Sequence, residues 1–195
     1  MTVSLAWEGP VGPGKMPLDP QAFERLCETG VYIRLKSYER GRTIAYAGQS
    51  VSLLARFDQH LTKMLSLATP LRDSTGSIVF TGDSKARLEA YNQINDAVKL
   101  AAADVTRVRF WYALCDDYFQ PEHLNLVEGL LQRRMMARLE DIENRMAAPT
   151  GASADVPHRW VNDLARLDLE GRGVLEDLFG LEPMTLDVLH DNDAY

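Results

Sequence analysis

Apolar and polar positions alternate in two stretches within the first 115 residues. Between 30 and 36 every second residue is apolar, which is the period-two pattern of a strand with one buried face. A turn around Gly41 leads to a second short strand over 43–48, so the two strands are predicted to pair as an antiparallel hairpin. The alternation returns over 105–115 and predicts a third strand.

Apolar residues at helical spacing predict helices between and after these strands. One helix is expected to follow the hairpin and to end before Pro70, with Ser50 or Ser52 as its N-cap. A second helix is expected over 84–103. The longest is predicted over 121–146, where apolar residues recur every three or four positions.

These patterns divide the chain into four parts. Residues 1–29 are interpreted as a Gly- and Pro-rich arm with a short helix, 30–146 as the main domain with an insertion over 69–104, 147–157 as a linker and 158–195 as an acidic helical extension. No apolar run approaches the roughly 20 residues that a membrane span needs, and the first residues lack the order of a signal peptide. We therefore expect a cytoplasmic protein without a membrane partner.

Charge is distributed unevenly along the chain. The net charge is −7 at pH 7, but the residues from 148 onwards hold three basic and ten acidic side chains, so residues 1–147 are neutral overall. Residues 31–63 hold six lysines and arginines against two acidic residues. This basic segment keeps a nucleic-acid partner open in spite of the negative net charge.

Two tyrosines stand where the predicted hairpin could present them to a ligand. Tyr32 shares the polar face of its strand with Arg34 and Lys36, and Tyr46 precedes two small residues at 47 and 48 that another group could approach closely. A strand tyrosine is more often a packing residue, so a structural role stays open for each of them.

The predicted helices carry further candidate groups. Arg56, His60 and Lys63 follow one another at i, i+4 and i+7 and therefore lie along one side of their helix. Glu128 lies at the edge of the apolar seam of the longest helix, where a carboxylate is costly unless it is paired or binds a metal. A solvated surface and an arginine partner, respectively, are the structural alternatives.

The order of these groups resembles the GIY-YIG nuclease superfamily. Residues 30–32 read Gly-Val-Tyr on the first strand, and 46–48 read Tyr-Ala-Gly on the second. Arg56 follows ten residues after the second tyrosine, and His60 comes one turn later. Ala47 stands where the family usually has a β-branched residue.

Two further residues are similar to later positions of the family. Glu128 looks like its helical metal-binding glutamate, with Glu89 as the alternative, and Asn144 looks like its late asparagine. The alternatives to Asn144 are Asn92, Asn125 and Asn162.

This resemblance implies a fold and an activity. The implied fold is of the α/β (α+β) class, a small three-stranded antiparallel sheet flanked by helices, to which this chain adds the helical C-terminal extension. The implied activity is that of an endonuclease that hydrolyses DNA phosphodiester bonds with one Mg²⁺ or Mn²⁺ ion. A nuclease of this size often needs a second copy to cut both strands, which favours a homodimer.

The resemblance also implies a role for each residue. Tyr32 is expected to act as general base toward water, Tyr46 and His60 to position or relay the proton, Arg56 to bind the scissile phosphate and Glu128 to hold the metal. Asn144 completes the implied catalytic set. The basic residues expected to contact the DNA backbone are Arg34, Lys36, Arg40, Arg42 and Lys63.

Two other interpretations of the sequence remain. The first is a catalytically silent module on the same fold that binds nucleic acid or another protein. The second is a plain α/β domain in which the motif arose by coincidence.

Overall fold

Strands make up the framework of the protein. The computed structural model describes residues 2–139, 141–143 and 159–180, together with the backbone of 184–185. Within these ranges the strands are β1 (Thr2–Val11), β2 (Gly30–Ser37), β3 (Thr43–Ser50), β4 (Leu71–Arg72), β5 (Ile78–Phe80), β6 (Val108–Leu114), β7 (Arg159–Asp163) and β8 (Met184–Thr185).

Helices fill most of the remaining described chain. They are α1 (Pro20–Arg25), α2 (Leu53–Leu65), α3 (Ser84–Ala90), α4 (Ile94–Val105), α5 (Leu124–Arg138) and α6 (Leu169–Phe179). Ser52 caps α2, as one of the two predicted caps, because its side chain accepts a hydrogen bond from the Ala55 amide at 3.4 Å. None of the helices described is long and apolar enough to cross a membrane.

One large mixed sheet dominates the architecture. It curls into a half-barrel in which five longer strands and the two-residue β8 follow the order β3-β2-β6-β1-β7-β8. β1 and β7 are parallel, and the other neighbours in this sheet are antiparallel. β4 and β5 form a separate two-stranded sheet.

The prediction of a small three-stranded antiparallel sheet was therefore wrong. The three predicted strands are present as the neighbours β3, β2 and β6, but β1 and β7 extend the sheet beyond them. β1 lies in the segment interpreted as an arm, and its residues Val3, Leu5 and Trp7 are completely buried. β7 lies where a helix was expected, and Trp160 at its centre is also completely buried. Neither strand could be placed in the sheet from its own residues, because both pair with strands that are far away in the sequence.

The longest helix also ends earlier than its pattern indicates. α5 stops at Arg138, and residues 141–143 instead run beside β3, where the Glu143 amide donates to the Ala45 carbonyl at 2.9 Å. Leu139 and Ile142 continue the apolar pattern, but they pack against the core from an extended chain. The expected helix over 121–146 was thus too long at its C-terminal end.

Helices cover both faces of the large sheet. α5 and α6 pack on the face that carries Val31, Ile33 and Leu35 of β2. α2 and α4 pack on the other face, in a core that includes Tyr32 and Phe110. The alternation along β2 therefore divides its side chains between two cores, and the predicted polar face is the one beneath α2.

Candidate active site

The register of β2 and β3 sets the centre of the site. Tyr32 lies opposite Gly48, and Arg34 lies opposite Tyr46. Tyr32 is completely buried, and a Cβ atom built on Gly48 would lie only 2.5 Å from its hydroxyl oxygen. The small residue at 48 is therefore needed for the approach of Tyr32 and leaves no room there for a ligand.

Helix α2 brings His60 onto these tyrosines. Phe57 anchors the helix because it is buried and stacks on Phe110 of β6, with 4.1 Å between the ring centres. One turn of helix further along the chain, the His60 ring centre lies 5.6 Å from that of Tyr32 and 5.3 Å from that of Tyr46.

A directed chain of hydrogen bonds links these groups. His60 Nε2 lies 2.7 Å from Tyr32 Oη, and His60 Nδ1 lies 2.8 Å from Arg34 Nη1. Because a guanidinium only donates, Nδ1 accepts, and the proton of the neutral ring is on Nε2 and is donated to Tyr32. The Tyr32 hydroxyl then donates its own proton to Tyr46, with which it is hydrogen-bonded. We call the path from Arg34 through His60 and Tyr32 to Tyr46 the donor chain.

Burial determines the protonation states along the donor chain. Removal from water, followed by the positive charges of Arg34 and Arg56, lowers the pKa of His60 to about 3, so the ring is neutral at pH 7. Burial and then the adjacent Tyr46 raise the pKa of Tyr32 above its usual value, so its hydroxyl keeps its proton. Tyr46 is partly exposed and forms the end of the chain that a solute can reach.

Arg34 is held from its far side by Glu143. Its Nη2 donates to Glu143 Oε2, and the Nε of Arg72 lies 3.7 Å from the other carboxylate oxygen. Since Arg34 is only 8% exposed, its charge would be costly without this carboxylate. Glu143 therefore positions Arg34 and, through it, His60.

Arg56 links the donor chain to the neighbouring helix. It lies one turn before His60 on α2, is partly exposed and donates to Gln59 Oε1 at 3.0 Å. Its charge lowers the pKa of Tyr32, His60 and Glu128, although burial raises that of Tyr32 and Glu128 by more. Arg56 is thus within electrostatic range of both sides of the site.

Glu128 lies on α5 beside β3 and is half-buried. Its Oε1 accepts from Gln132 Nε2 at 3.0 Å, and the carboxylate is also hydrogen-bonded to Gln49. Burial raises the pKa of Glu128, against the opposing effects of Gln49 and Arg56. Gln49 in turn donates to Asn125. One carboxylate and three side-chain amides therefore lie together, and their oxygens are of the hard type that Mg²⁺ and Mn²⁺ prefer.

The structure shows the surroundings of Glu89, the alternative metal ligand, and of two alternatives to the late asparagine. Glu89 forms an exposed pair with Lys85 on α3 at 3.9 Å. Asn162 accepts a hydrogen bond from the Trp7 indole at 2.8 Å, which is a structural role. Asn144 lies outside the described residues. Among its alternatives, Asn125 is the one bonded to a neighbour of Glu128.

Two of the five residues predicted to contact DNA are buried. Arg34 belongs to the donor chain, and Lys36 is 2% exposed, with its Nζ 2.9 Å from Asp104. Both side chains lie on the strand face that α2 and α4 cover, where each forms an ion pair. Their contacts with DNA stay predictions. Burial lowers the pKa of Lys36, against the opposing effect of Asp104.

The other three cations differ in availability. Arg42 Nε is 2.8 Å from Asp141 Oδ2, in a half-exposed ion pair. Arg40 and Lys63 are exposed. Their predicted contacts with a nucleic acid stay predictions.

Several residues that support the site carry no local signal in the sequence. Glu143 reaches Arg34 from a position 109 residues away. Asp104 is completely buried and accepts from Lys36 and, at 2.7 Å, from the Tyr38 hydroxyl. Both carboxylates are recognisable only once the segments around β2 are in place. Within the described residues no group of three His, Cys, Asp or Glu side chains could hold a metal ion.

Comparison of the chain with family models, with curated proteins and with solved structures finds no match in any of the three. The geometry of the site is therefore the basis on which its function has to be argued.

Proposed function

We propose that the protein is a metal-dependent endonuclease that hydrolyses DNA phosphodiester bonds and is cytoplasmic. The observation that carries the proposal is the donor chain, which ends on the partly exposed Tyr46 and whose Tyr32 and His60 lie within electrostatic range of Arg56. Hydrolysis of a phosphodiester needs a group that takes a proton from water and positive charge for the phosphate oxygens. Those two needs match Tyr46 and Arg56.

Tyr46, and not the buried Tyr32, is the tyrosine that meets the attacking water in this proposal. The Tyr46 oxygen would take the proton of the water, while Tyr32 donates to that oxygen. The Arg34 guanidinium lies 5.2 Å from the centre of the Tyr46 ring and supplies positive charge beside it. The donor chain is arranged for this purpose, because each of its hydrogen bonds points toward Tyr46.

Arg56 would bind the scissile phosphate. Among the described residues its guanidinium donates one hydrogen bond, to Gln59, which leaves donors for the two parallel hydrogen bonds of an arginine–phosphate contact. Glu128, with Gln49 and Asn125, would hold one Mg²⁺ or Mn²⁺ ion, whose positive charge would stabilise the developing charge on the leaving oxygen. One carboxylate gives low metal affinity, so DNA phosphate oxygens are expected to complete the ligand set.

Cleavage of supercoiled plasmid tests the proposal. The wild-type chain, Arg56→Ala and Glu128→Gln are each incubated with Mg²⁺, with Mn²⁺ and with EDTA. We expect nicking or linearisation by the wild type with metal, and a loss of roughly a hundredfold or more in both variants. Lys99→Ala and Glu122→Gln are the matched controls, because both remove an exposed charge elsewhere, and they should cut at the wild-type rate.

A second pair of variants tests the assignment of the two tyrosines. Tyr46→Phe should abolish cleavage, and Tyr32→Phe should reduce it less, because it removes a donor to Tyr46 and not the proton acceptor itself. Metal-independent cutting would refute the metal-dependent mechanism, and equal activity of Arg56→Ala and wild type would refute the assigned site. If the folded wild type binds plasmid in a salt-dependent manner but cuts no DNA, a silent nucleic-acid-binding module is the better description. A dimeric mass in solution would fit cutting of both strands.

A further inference from the structure

A large cavity lies on the face of the sheet opposite the donor chain. It is enclosed by the ends of β2 and β6, the end of α5 and one side of α6, and its volume is about 780 Å³. That size is within the range of small-molecule sites in proteins. Leu35, Trp111 and Leu178 are buried side chains that form its apolar floor.

Two arginines lie at or just before the start of β6, where it reaches this cavity. Because side chains alternate along a strand, Arg109 is on the same face as Trp111, whereas Arg107 lies before β6 and its guanidinium carbon is 5.6 Å from the centre of the Tyr38 ring. Trp111 packs into the core under α5 and α6, whereas both arginines line the cavity. Their hydrogen bonds go to backbone carbonyls, and neither forms a salt bridge with any described residue. Two like charges at positions i and i+2 repel each other unless an anion lies between them.

Positive charge exceeds negative charge in the whole lining. Five cationic side chains and three acidic ones line the cavity, so the excess is two positive charges. Asp141 is already paired with Arg42 at 2.8 Å. Lys15 is exposed at the rim and, like Arg107 and Arg109, has no carboxylate partner within the described chain.

The floor and the rim of the cavity differ in polarity. Leu35, Trp111 and Leu178 form the apolar floor, and the indole N–H of Trp111 is shielded from solvent and lies beside Gly171, outside the cavity lining. An apolar floor and a cationic rim together match a molecule with a planar part and an anionic part.

We propose that this cavity binds a small phosphorylated ligand of mononucleotide size. The phosphate lies between Arg107 and Arg109 with Lys15 at the rim, and the planar part lies on Leu35, Trp111 and Leu178. Arg–phosphate contacts favour the two-donor geometry of guanidinium groups. This site is independent of the proposed nuclease activity, because no donor-chain residue lines the cavity.

Calorimetric titration of the full chain with dTMP at low salt tests the proposal, with thymidine and inorganic phosphate as comparison probes. We expect saturable binding of dTMP, weaker binding of phosphate and no binding of thymidine. Arg109→Met should weaken dTMP binding roughly tenfold or more, since it removes charged hydrogen bonds. Arg87→Met is the matched control, because it removes a half-buried arginine outside the cavity and should bind dTMP like the wild type.

Further variants keep the test decisive. Should Arg109→Met not fold, Lys15→Gln, which changes an exposed side chain, should weaken dTMP binding severalfold. The indole N–H signal of Trp111, identified in nuclear magnetic resonance spectra by Trp111→Phe, should move when dTMP is added. Absence of saturable dTMP binding, equal binding of dTMP and phosphate, or unchanged binding by a folded Arg109→Met would overturn the proposal.

Discussion

Gly48→Ala is the substitution whose effect the site geometry defines most sharply. The added Cβ would lie 2.5 Å from the Tyr32 oxygen and 2.7 Å and 2.8 Å from two of its ring carbons, where ordinary contacts begin near 3.4 Å. The ring therefore has to move by roughly 1 Å. Tyr32 has no exposed surface and is packed against Phe57 and Phe110, so this movement disturbs the core as well as the 2.7 Å bond to His60.

Three contributions determine how much Gly48→Ala changes the free energy of unfolding. Overpacking costs about 1–3 kcal/mol, and a lost hydrogen bond costs about 1 kcal/mol more. Alanine in place of a strand glycine returns about 0.5–1 kcal/mol through lower entropy of the unfolded chain. We therefore expect Gly48→Ala to lower the free energy of unfolding by about 1–3 kcal/mol.

Urea unfolding at pH 7 measures this change, and Gly173→Ala is the matched control. Gly173 lies within α6, and a Cβ atom there would meet nothing within 4 Å. The same substitution should therefore raise stability at position 173 by about 0.5–1 kcal/mol. The two variants are thus expected to shift in opposite directions. A Gly48→Ala protein as stable as the wild type would show that Tyr32 does not cover the strand as described.

Two further predictions concern buried charge. Lys36→Met should lower the free energy of unfolding by about 3–5 kcal/mol, because it leaves the Asp104 carboxylate buried without its cation. The control Lys99→Met, in an exposed helix pair, should change the free energy of unfolding by less than about 0.5 kcal/mol. Adding Asp104→Leu to Lys36→Met should recover stability. His60 has a folded pKa of about 3 against 6.5 for the free side chain, so the unfolded chain binds the extra proton between these values. The contribution of His60 to stability is complete above about pH 6.5 and is lost as the pH falls toward 3, with a slope of at most about 1.4 kcal/mol per pH unit. Urea unfolding between pH 4.5 and 7 should show a free energy of unfolding that depends less on pH in His60→Asn than in the wild type. Identical pH profiles of the two proteins would contradict the buried, neutral ring.

Local patterns predict those parts of the fold that local forces determine. The alternation of apolar residues locates β2 and β6, the turn around Gly41 locates β3, and Ser52 marks the start of α2, because strand faces, turns and helix caps depend on neighbours in sequence. β1 and β7 could not be placed in the sheet in this way. β1 pairs with β6 and β7, which are both about a hundred residues or more away, and no pattern in β1 or β7 identifies these partners.

The candidate site was also predictable only in part from the sequence. The order of Tyr32, Tyr46 and His60 is visible in the sequence, and the structure brings the three rings together. The direction of the donor chain is not visible, since it depends on Arg34 being turned inward to His60 by Glu143. In the sequence Arg34 cannot be distinguished from an exposed cation. A strand pattern shows which residues share a face, but it does not show what covers that face.

The inserted segment over 69–104 stabilises the strand on which the candidate site is built. The segment over 69–104 supplies Asp104 to the buried Lys36 and places Arg72 beside Glu143, while Ala101 is buried in the core beneath α2. It therefore stabilises the strand that carries Tyr32 and cannot be removed as an appendage. A deletion that joined α2 directly to β6 would leave Lys36 charged and unpaired beneath an open face, at a cost of several kcal/mol. Since native domains are stable by only about 5–15 kcal/mol, such a loss would remove much of the margin that keeps the donor chain assembled.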